Sequence, residues 1–189
     1  MIKRLLKEVK EYKTASILTP IFMIGEVIFE TLIPFIMGLI INNGINGNNG
    51  KGDTNYIVMM GVIMFVFALL GLVAGMGGGI AGAKASTGFA KNLREAMFRN
   101  IQTFSFANID KYSTAGLVTR LTTDVTNVQN AYQMIIRMCI RAPFSLILAL
   151  IMAISICPQI SVVFLVAIIF LSVCLGTIIY RAMPIFNDV

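Results

Sequence analysis

Two carboxylates lie inside an otherwise apolar stretch of this sequence. Glu26 and Glu30 are four residues apart, which places both on one face of a helix, and no other acidic residue occurs between 14 and 41. Fifteen Leu, Ile, Val or Phe residues in that stretch favour membrane insertion by roughly 7 kcal/mol, and two mid-span acids at roughly 3 kcal/mol each cancel most of it. We expect both carboxylates to face protein or a water-filled cavity, where they receive a cationic substrate or a proton.

The same acidic pair also has structural interpretations, which the sequence leaves open. The carboxylates lie near an interface, carry protons, or pair with Arg137 or Arg141. These two arginines are one helical turn apart, just before Pro143 and an apolar run. On their own they predict a span anchored at the cytoplasmic headgroups by snorkelling side chains.

A glycine-rich run, Gly77 to Gly82, has the spacing G-x-G-x-x-G of dinucleotide-binding turns. No strand precedes the run and it lies within an apolar stretch, which argues against nucleotide binding. Nor does Lys84 directly follow a glycine, as the lysine of a phosphate-binding P-loop does. Small residues every three or four positions let membrane helices approach closely. We therefore expect a helix contact, rather than simple flexibility, at Gly71, Gly75, Gly78, Gly79 and Gly82.

No residue cluster in the sequence is typical of an enzyme or a metal site. There is no histidine, and Cys139, Cys157 and Cys174 each lie alone in apolar surroundings, so neither a zinc site nor a general base is predicted. The net charge of +6 does not indicate nucleic-acid binding, because lysine and arginine lie at the ends of apolar runs. We predict no catalytic, metal or cofactor site in this chain.

The chain contains four apolar runs, and the acidic pair and the glycines lie within them. Hydrophobic residues make up 57% of the chain and charged residues 13%, so the apolar surface exceeds what a soluble core of this size can bury. We predict an all-α membrane protein with spans at about 14–41, 56–83, 135–156 and 160–180. The first stretch is too long for a signal peptide and lacks a cleavage site. The last two spans, separated at Pro158, are expected to form a tight hairpin.

The distribution of basic residues predicts the topology. Five lysines or arginines precede the first span, eight lie between 84 and 141, and one lies in the loop 42–55. Both termini and the central segment are therefore expected in the cytoplasm of a multi-pass plasma-membrane protein. Residues 1–13 alternate apolar and basic side chains, which predicts an amphipathic helix on the membrane surface, with a solvated tail as the alternative.

The apolar pattern continues beyond the second span. A helix from Asn55 to Phe104 would be about 75 Å long, whereas the hydrocarbon core is about 30 Å thick. The second helix therefore projects into the cytoplasm, and a returning helix leads to the third span. Their apolar stripes are Phe89, Leu93, Met97, Ile101, Phe104 on the outward arm and Leu117, Leu121, Val125, Val128, Tyr132, Ile135 on the return. We expect the intracellular loop 84–134 to be two antiparallel arms with a turn at the tip.

The turn and the returning arm resemble a known family. Residues 105–114 and 117–125 are similar to the first intracellular loop of multidrug-type ABC exporters, whose pattern is S-x-x-x-x-D followed by T-G-x-L-x-S-R-L-T-x-D-V. Ala115 stands where glycine is usual, and Thr119 stands where serine is common. The resemblance covers nearly the whole chain, from an elbow helix at 1–13 to Met183-Pro184-Ile185-Phe186.

This resemblance implies a partial exporter transmembrane domain at 14–189, truncated relative to a family pattern of six spans, a second intracellular loop and a C-terminal ATPase domain. The complete protein would be an ATP-hydrolysing translocase, a homo- or heterodimer, with ATP and Mg in that ATPase domain. It would move small hydrophobic or amphipathic substrates, such as a drug, lipid or peptide, by alternating access. The coupling helix that contacts the ATPase domain of the same transporter or its partner subunit would be Ala107, Asn108, Ile109, Asp110, Lys111 and Tyr112.

Two other classes of function remain as alternatives. One is a structural or regulatory four-helix membrane protein without transport, whose cytoplasmic loop serves only assembly. The other is an ion-coupled carrier that uses Glu26 and Glu30 for protons.

Overall fold

The computed structural model describes residues 5, 7–46, 52–104, 113–156 and 158–187, with only the backbone at 158, 160 and 181–187. All elements of this described part are helical, and four helices are long and apolar enough to cross a membrane. The predicted all-α fold with four spans is confirmed. The chain forms two units, Met1–Ser145 and Leu146–Val189.

The first helix, α1 (Lys13–Leu39), follows a single 3₁₀ turn at Lys10–Tyr12 and continues as a π-helical stretch, Ile40–Ile45. It therefore ends beyond the predicted span boundary at 41. Polar groups at its end find partners across the loop: the Asn43 side chain donates to the Tyr56 hydroxyl (3.4 Å), and the Asp53 amide donates to the Gly44 carbonyl (2.9 Å).

The second helix, α2 (Thr54–Gln102), contains 49 residues and is unbroken. Asp53 caps its start by accepting hydrogen bonds from the amides of Asn55 (3.0 Å) and Tyr56 (3.2 Å). No proline interrupts it, so its length is about 73 Å. This confirms that it extends far beyond the thickness of a bilayer.

The third helix, α3 (Thr114–Ile156), returns to the membrane. It begins at Ser113, whose backbone has a φ of 51° and whose hydroxyl accepts a hydrogen bond from the Gly116 amide at 3.2 Å. A π-helical stretch at Arg120–Asp124 interrupts the regular hydrogen bonding of this arm. The fourth helix, α4 (Pro158–Asn187), begins at a proline, which suits a first helical position.

Contacts along α2 define the register of the first unit. Met23 of α1 lies against Gly78 of α2, and Phe29, which comes later on α1, lies against Gly71, which comes earlier on α2. The two helices are therefore antiparallel. Helix α3 also runs antiparallel to α2, since Gln133 bonds Ser86 and, further from the membrane, Thr126 bonds Arg94. Helices α1 and α3 therefore run in the same direction against α2.

The buried hydrophobic cluster of this unit lies in the predicted cytoplasmic arms. It consists of Val9, Phe89, Ala90, Leu93 and Val125, and the partly buried Leu5, Tyr12, Met97, Val128 and Tyr132 pack against it. The two predicted apolar stripes thus meet in their membrane-proximal parts. Val9, from the predicted surface helix, is only 5% exposed and packs against protein. The membrane-surface placement of 1–13 itself stays a prediction.

Candidate functional site

Glycines on α2 form the surface that receives α1. A methyl group built at Gly78 would collide with the Met23 side chain, and one at Gly75 would lie 3.1 Å from the Glu26 carboxyl carbon. At Gly71 the neighbour is Phe29 Cβ, at 3.5 Å. The absence of side chains therefore lets α1 approach α2 closely, with the Glu26 carboxylate directly over the α2 backbone.

Two positions in the same glycine run differ from the expected pattern. Gly79 has nothing within 4 Å of an added Cβ, whereas Gly77, which was not in the predicted set, would place a Cβ 3.1 Å from the Phe22 ring. Gly82 faces both neighbouring helices, with Thr19 Cγ2 at 3.3 Å and Arg137 Cδ at 3.4 Å. The whole run lies inside α2, where its amides serve helical hydrogen bonds rather than a phosphate.

Arg141 of α3 joins both acidic residues of α1. Its Nη1 lies 3.2 Å from Glu26 Oε1, and its Nη2 lies 3.0 Å from Glu30 Oε2. The guanidinium fork suits this arrangement, because two of its nitrogens reach carboxylates one helical turn apart. The structure therefore corrects the snorkelling expectation for Arg141, whose charge is directed at α1 rather than at headgroups.

The environments of the two carboxylates differ. The Glu26 side chain is 21% exposed and that of Glu30 is 64% exposed. The second carboxylate oxygen of Glu26, Oε2, is buried without a hydrogen-bond partner among the described residues. Exposure here means surface that this chain does not cover. Pairing with Arg141 offsets part of the roughly 3 kcal/mol that each mid-membrane charge costs.

A groove of about 380 Å³ lies beside these carboxylates, between α1 and α2. Glu26 and Glu30 supply its polar groups, and its apolar walls include Phe67, Leu72 and Met76. The arrangement can hold an elongated apolar molecule with a positively charged end. The structure thus brings together the two predicted acidic residues and the glycines Gly71 and Gly75.

The arms of α2 and α3 that project beyond the spans are held by polar and aromatic contacts. The rings of Phe89 and Tyr132 stack with centroids 4.7 Å apart, and the Tyr132 hydroxyl donates to Ser16 Oγ at 2.8 Å. Arg94 donates to the Leu121 carbonyl (3.3 Å) and to Thr126 Oγ1 (3.2 Å). The sequence did not lead us to predict that Arg94 joins the two arms. The one signal for it is that a basic residue stands beside the apolar stripe of the outward arm. The acceptor of Arg94, Leu121, lies in the π-helical stretch of α3.

The comparison with known families decides what these helices form. The family described as the ABC transporter transmembrane region matches residues 17–187. The chain belongs to this family. As an ABC transporter transmembrane region with four long apolar helices, it is a multi-pass membrane protein.

Relatives of this domain are named as ABC transporter ATP-binding proteins and as a flippase. The ABC transporter ATP-binding protein YfiB of Bacillus subtilis is 28% identical over 188 residues, which is 100% of this chain and 32% of YfiB. Rv1273c of Mycobacterium tuberculosis is 27% identical, over 99% of this chain and 32% of its own length. An ATP-dependent lipid A-core flippase of Albidiferax ferrireducens is 27% identical over 68% of this chain and 21% of its own length. The chain spans about a third of the first two relatives.

The predicted coupling residues of this ABC domain, Ala107 to Tyr112, lie outside the described residues. The arms that carry them are described as far as Phe104 on α2 and from Ser113 at the start of α3. Near that end of the arms, a groove of about 170 Å³ is lined by apolar residues of both stripes, among them Met97, Ile101 and Leu117. The two arms are therefore close to one another as far out as Phe104 on α2 and Leu117 on α3.

Proposed function

We propose that this chain is the transmembrane part of an ATP-driven exporter that moves hydrophobic or amphipathic substrates by alternating access. ATP and Mg²⁺ would bind an ATPase domain outside this chain, and the whole transporter would be a homo- or heterodimer in the plasma membrane. The N-terminus and the arms of α2 and α3 lie in the cytoplasm in this proposal, as the basic residues predict.

One observation carries this proposal: two membrane helices of an ABC domain extend far beyond the bilayer and are packed together there. The outward arm of α2 and the returning arm of α3 share the cluster around Phe89 and Val125. Rigid packed helices transmit a rotation at one end to the other end. The pair of arms is suited to couple a moving ATPase domain to the spans.

The groove beside Glu26 and Glu30 is the substrate-contacting surface in this proposal. Its apolar walls would hold the body of an amphipathic molecule, and its carboxylates would attract a positive charge. The alternative of an ion-coupled carrier uses the same two carboxylates and is distinguished by whether flux requires ATP.

The coupling role is tested at the tip of the arms, in the complete transporter reconstituted in lipid vesicles. Changing Ile109 and Tyr112 together to Ala should abolish substrate stimulation of ATP hydrolysis and reduce ATP-driven flux at least tenfold, because apolar anchors dominate protein contacts. ATP binding should be unchanged. Lys111→Ala is the matched control. Exposed ion pairs in general contribute little to protein contacts, so flux should stay within about twofold.

Two results would contradict the proposal. One is substrate stimulation and flux that persist unchanged in the Ile109→Ala, Tyr112→Ala variant, which would favour a loop that serves only assembly. The other is flux that follows an imposed proton gradient without ATP, which would favour the ion-coupled carrier.

A further inference from the structure

Among the ion pairs of the described residues, those of Arg141 are the ones that join two helices. The remaining ion pairs among the described residues connect near neighbours, Glu8 with Lys10 and Glu95 with Arg99. The guanidinium of Arg141 instead reaches from α3 to Glu26 and Glu30 on α1, using a separate nitrogen for each. It is therefore placed to fix the position of both carboxylates.

In the group formed by Glu26, Glu30 and Arg141, acidic side chains outnumber basic ones. Two carboxylates face one guanidinium, so one negative charge is uncompensated. The buried Oε2 of Glu26 has no hydrogen-bond partner among the described residues. Arg137, one turn before Arg141, places its Cγ and Cδ against Gly82 and takes part in none of the described ion pairs. Arg141 thus determines how much negative charge the groove presents.

We propose that Arg141 is a positioning residue that sets the charge preference of the substrate groove. It holds the Glu26 and Glu30 carboxylates beside the apolar walls and neutralises one of them. The groove then presents one net negative charge, which matches an amphipathic molecule with a single positive charge. This inference rests on the proposed function, in which these carboxylates line the substrate path.

The direction in which the affinity for a cationic substrate changes distinguishes this role from a purely structural one. In the complete transporter, the half-saturating concentration for stimulation of ATP hydrolysis is measured with the monocation ethidium and with the neutral dye Nile red. Arg141→Gln should lower the ethidium value about tenfold, because a second carboxylate within a few ångströms becomes uncompensated. Glu30→Gln should raise it about tenfold, since it removes the excess charge. The Nile red value should change less than about twofold in both, because a neutral dye has no net charge to attract.

Three further variants separate charge from folding. Arg137→Gln removes the same charge from a residue that forms none of the described ion pairs, so it should lower the ethidium value by about threefold or less and leave the Nile red value within about twofold. Arg141→Lys keeps the charge and should return the ethidium value close to that of the parent. The double change Glu30→Gln with Arg141→Gln restores the original net charge, so its ethidium value should also be near the parent. It leaves one unpaired carboxylate instead of two, which helps if Arg141→Gln alone folds poorly.

The inference is overturned if Arg141→Gln shifts ethidium and Nile red equally, if Arg137→Gln reproduces its effect, or if the double change does not restore the ethidium value. It is also overturned if other substrates stimulate the parent and ethidium does not. That last result would leave ATP-driven export intact, whereas failure of the proposed function appears separately as flux unaffected by the Ile109→Ala, Tyr112→Ala change.

Discussion

Helices α2 and α3 pack differently in their membrane-spanning halves and in the arms that project beyond the membrane, although each is one continuous element. In the projecting arms, large apolar side chains around Phe89 are buried, as water requires. In the membrane half, α2 meets α1 through glycines such as Gly75 and Gly78, and Arg141 of α3 contacts α1 through an ion pair. Lipid provides no hydrophobic force between helices, so close backbone approach and polar pairing hold them. The same helix therefore changes its packing chemistry where the solvent changes.

The largest expected effect is in the projecting arms of α2 and α3. Phe89 is 2% exposed, at the centre of the buried cluster and stacked on Tyr132. Phe89→Ala should destabilise the packed arms by about 3–5 kcal/mol, because it removes a large buried ring and leaves a cavity. Hydrogen exchange of the amides of 84–102 and 114–134 should accelerate more than about a hundredfold. Phe98→Ala is the control, because Phe98 on the same arm is 53% exposed. Equal acceleration in both variants would show that the arms are not held by this cluster.

In the membrane half, adding bulk should be the damaging change. Gly78→Leu should cost about 1–3 kcal/mol, because a side chain there meets Met23 and separates α1 from α2. Gly79→Leu is the matched control, since nothing lies within 4 Å of its Cβ position and the change should cost less than about 0.5 kcal/mol. The thermal unfolding midpoint of the complete transporter in lipid nanodiscs measures both. A larger loss at Gly79 would mean that another part of the transporter, rather than α1, packs on these glycines.

The sequence predicts the lengths and directions of the helices better than it predicts which side chains are in contact. The stripe from Phe89 to Met97 continues past the membrane with helical spacing, so the projection of α2 was predictable. Which arginine pairs with Glu26 was not, because Arg137 and Arg141 lie one turn apart and the register of α1 with α3 depends on packing through α2. Gly79 was grouped with its neighbours by a spacing of four, but a helix has 3.6 residues per turn, so a four-residue repeat drifts off the contact face.

The smallest expected effect is the difference between substituting Arg94 and substituting Arg99, two arginines on the same arm of α2. Arg94 bonds the returning arm at Leu121 and Thr126, whereas Arg99 pairs only with Glu95 one turn away on its own helix among the described contacts. Arg94→Ala should weaken the junction by about 1 kcal/mol, because two hydrogen bonds from a charged donor are lost at an exposed site. Arg99→Ala should cost about 0.3–0.5 kcal/mol, the usual value of an exposed pair four residues apart. Hydrogen exchange at 120–126 should therefore accelerate about fivefold in the first variant and less than about twofold in the second. Equal rates would show that the π-helical stretch of α3 holds its shape without Arg94, and that the apolar cluster alone joins the arms.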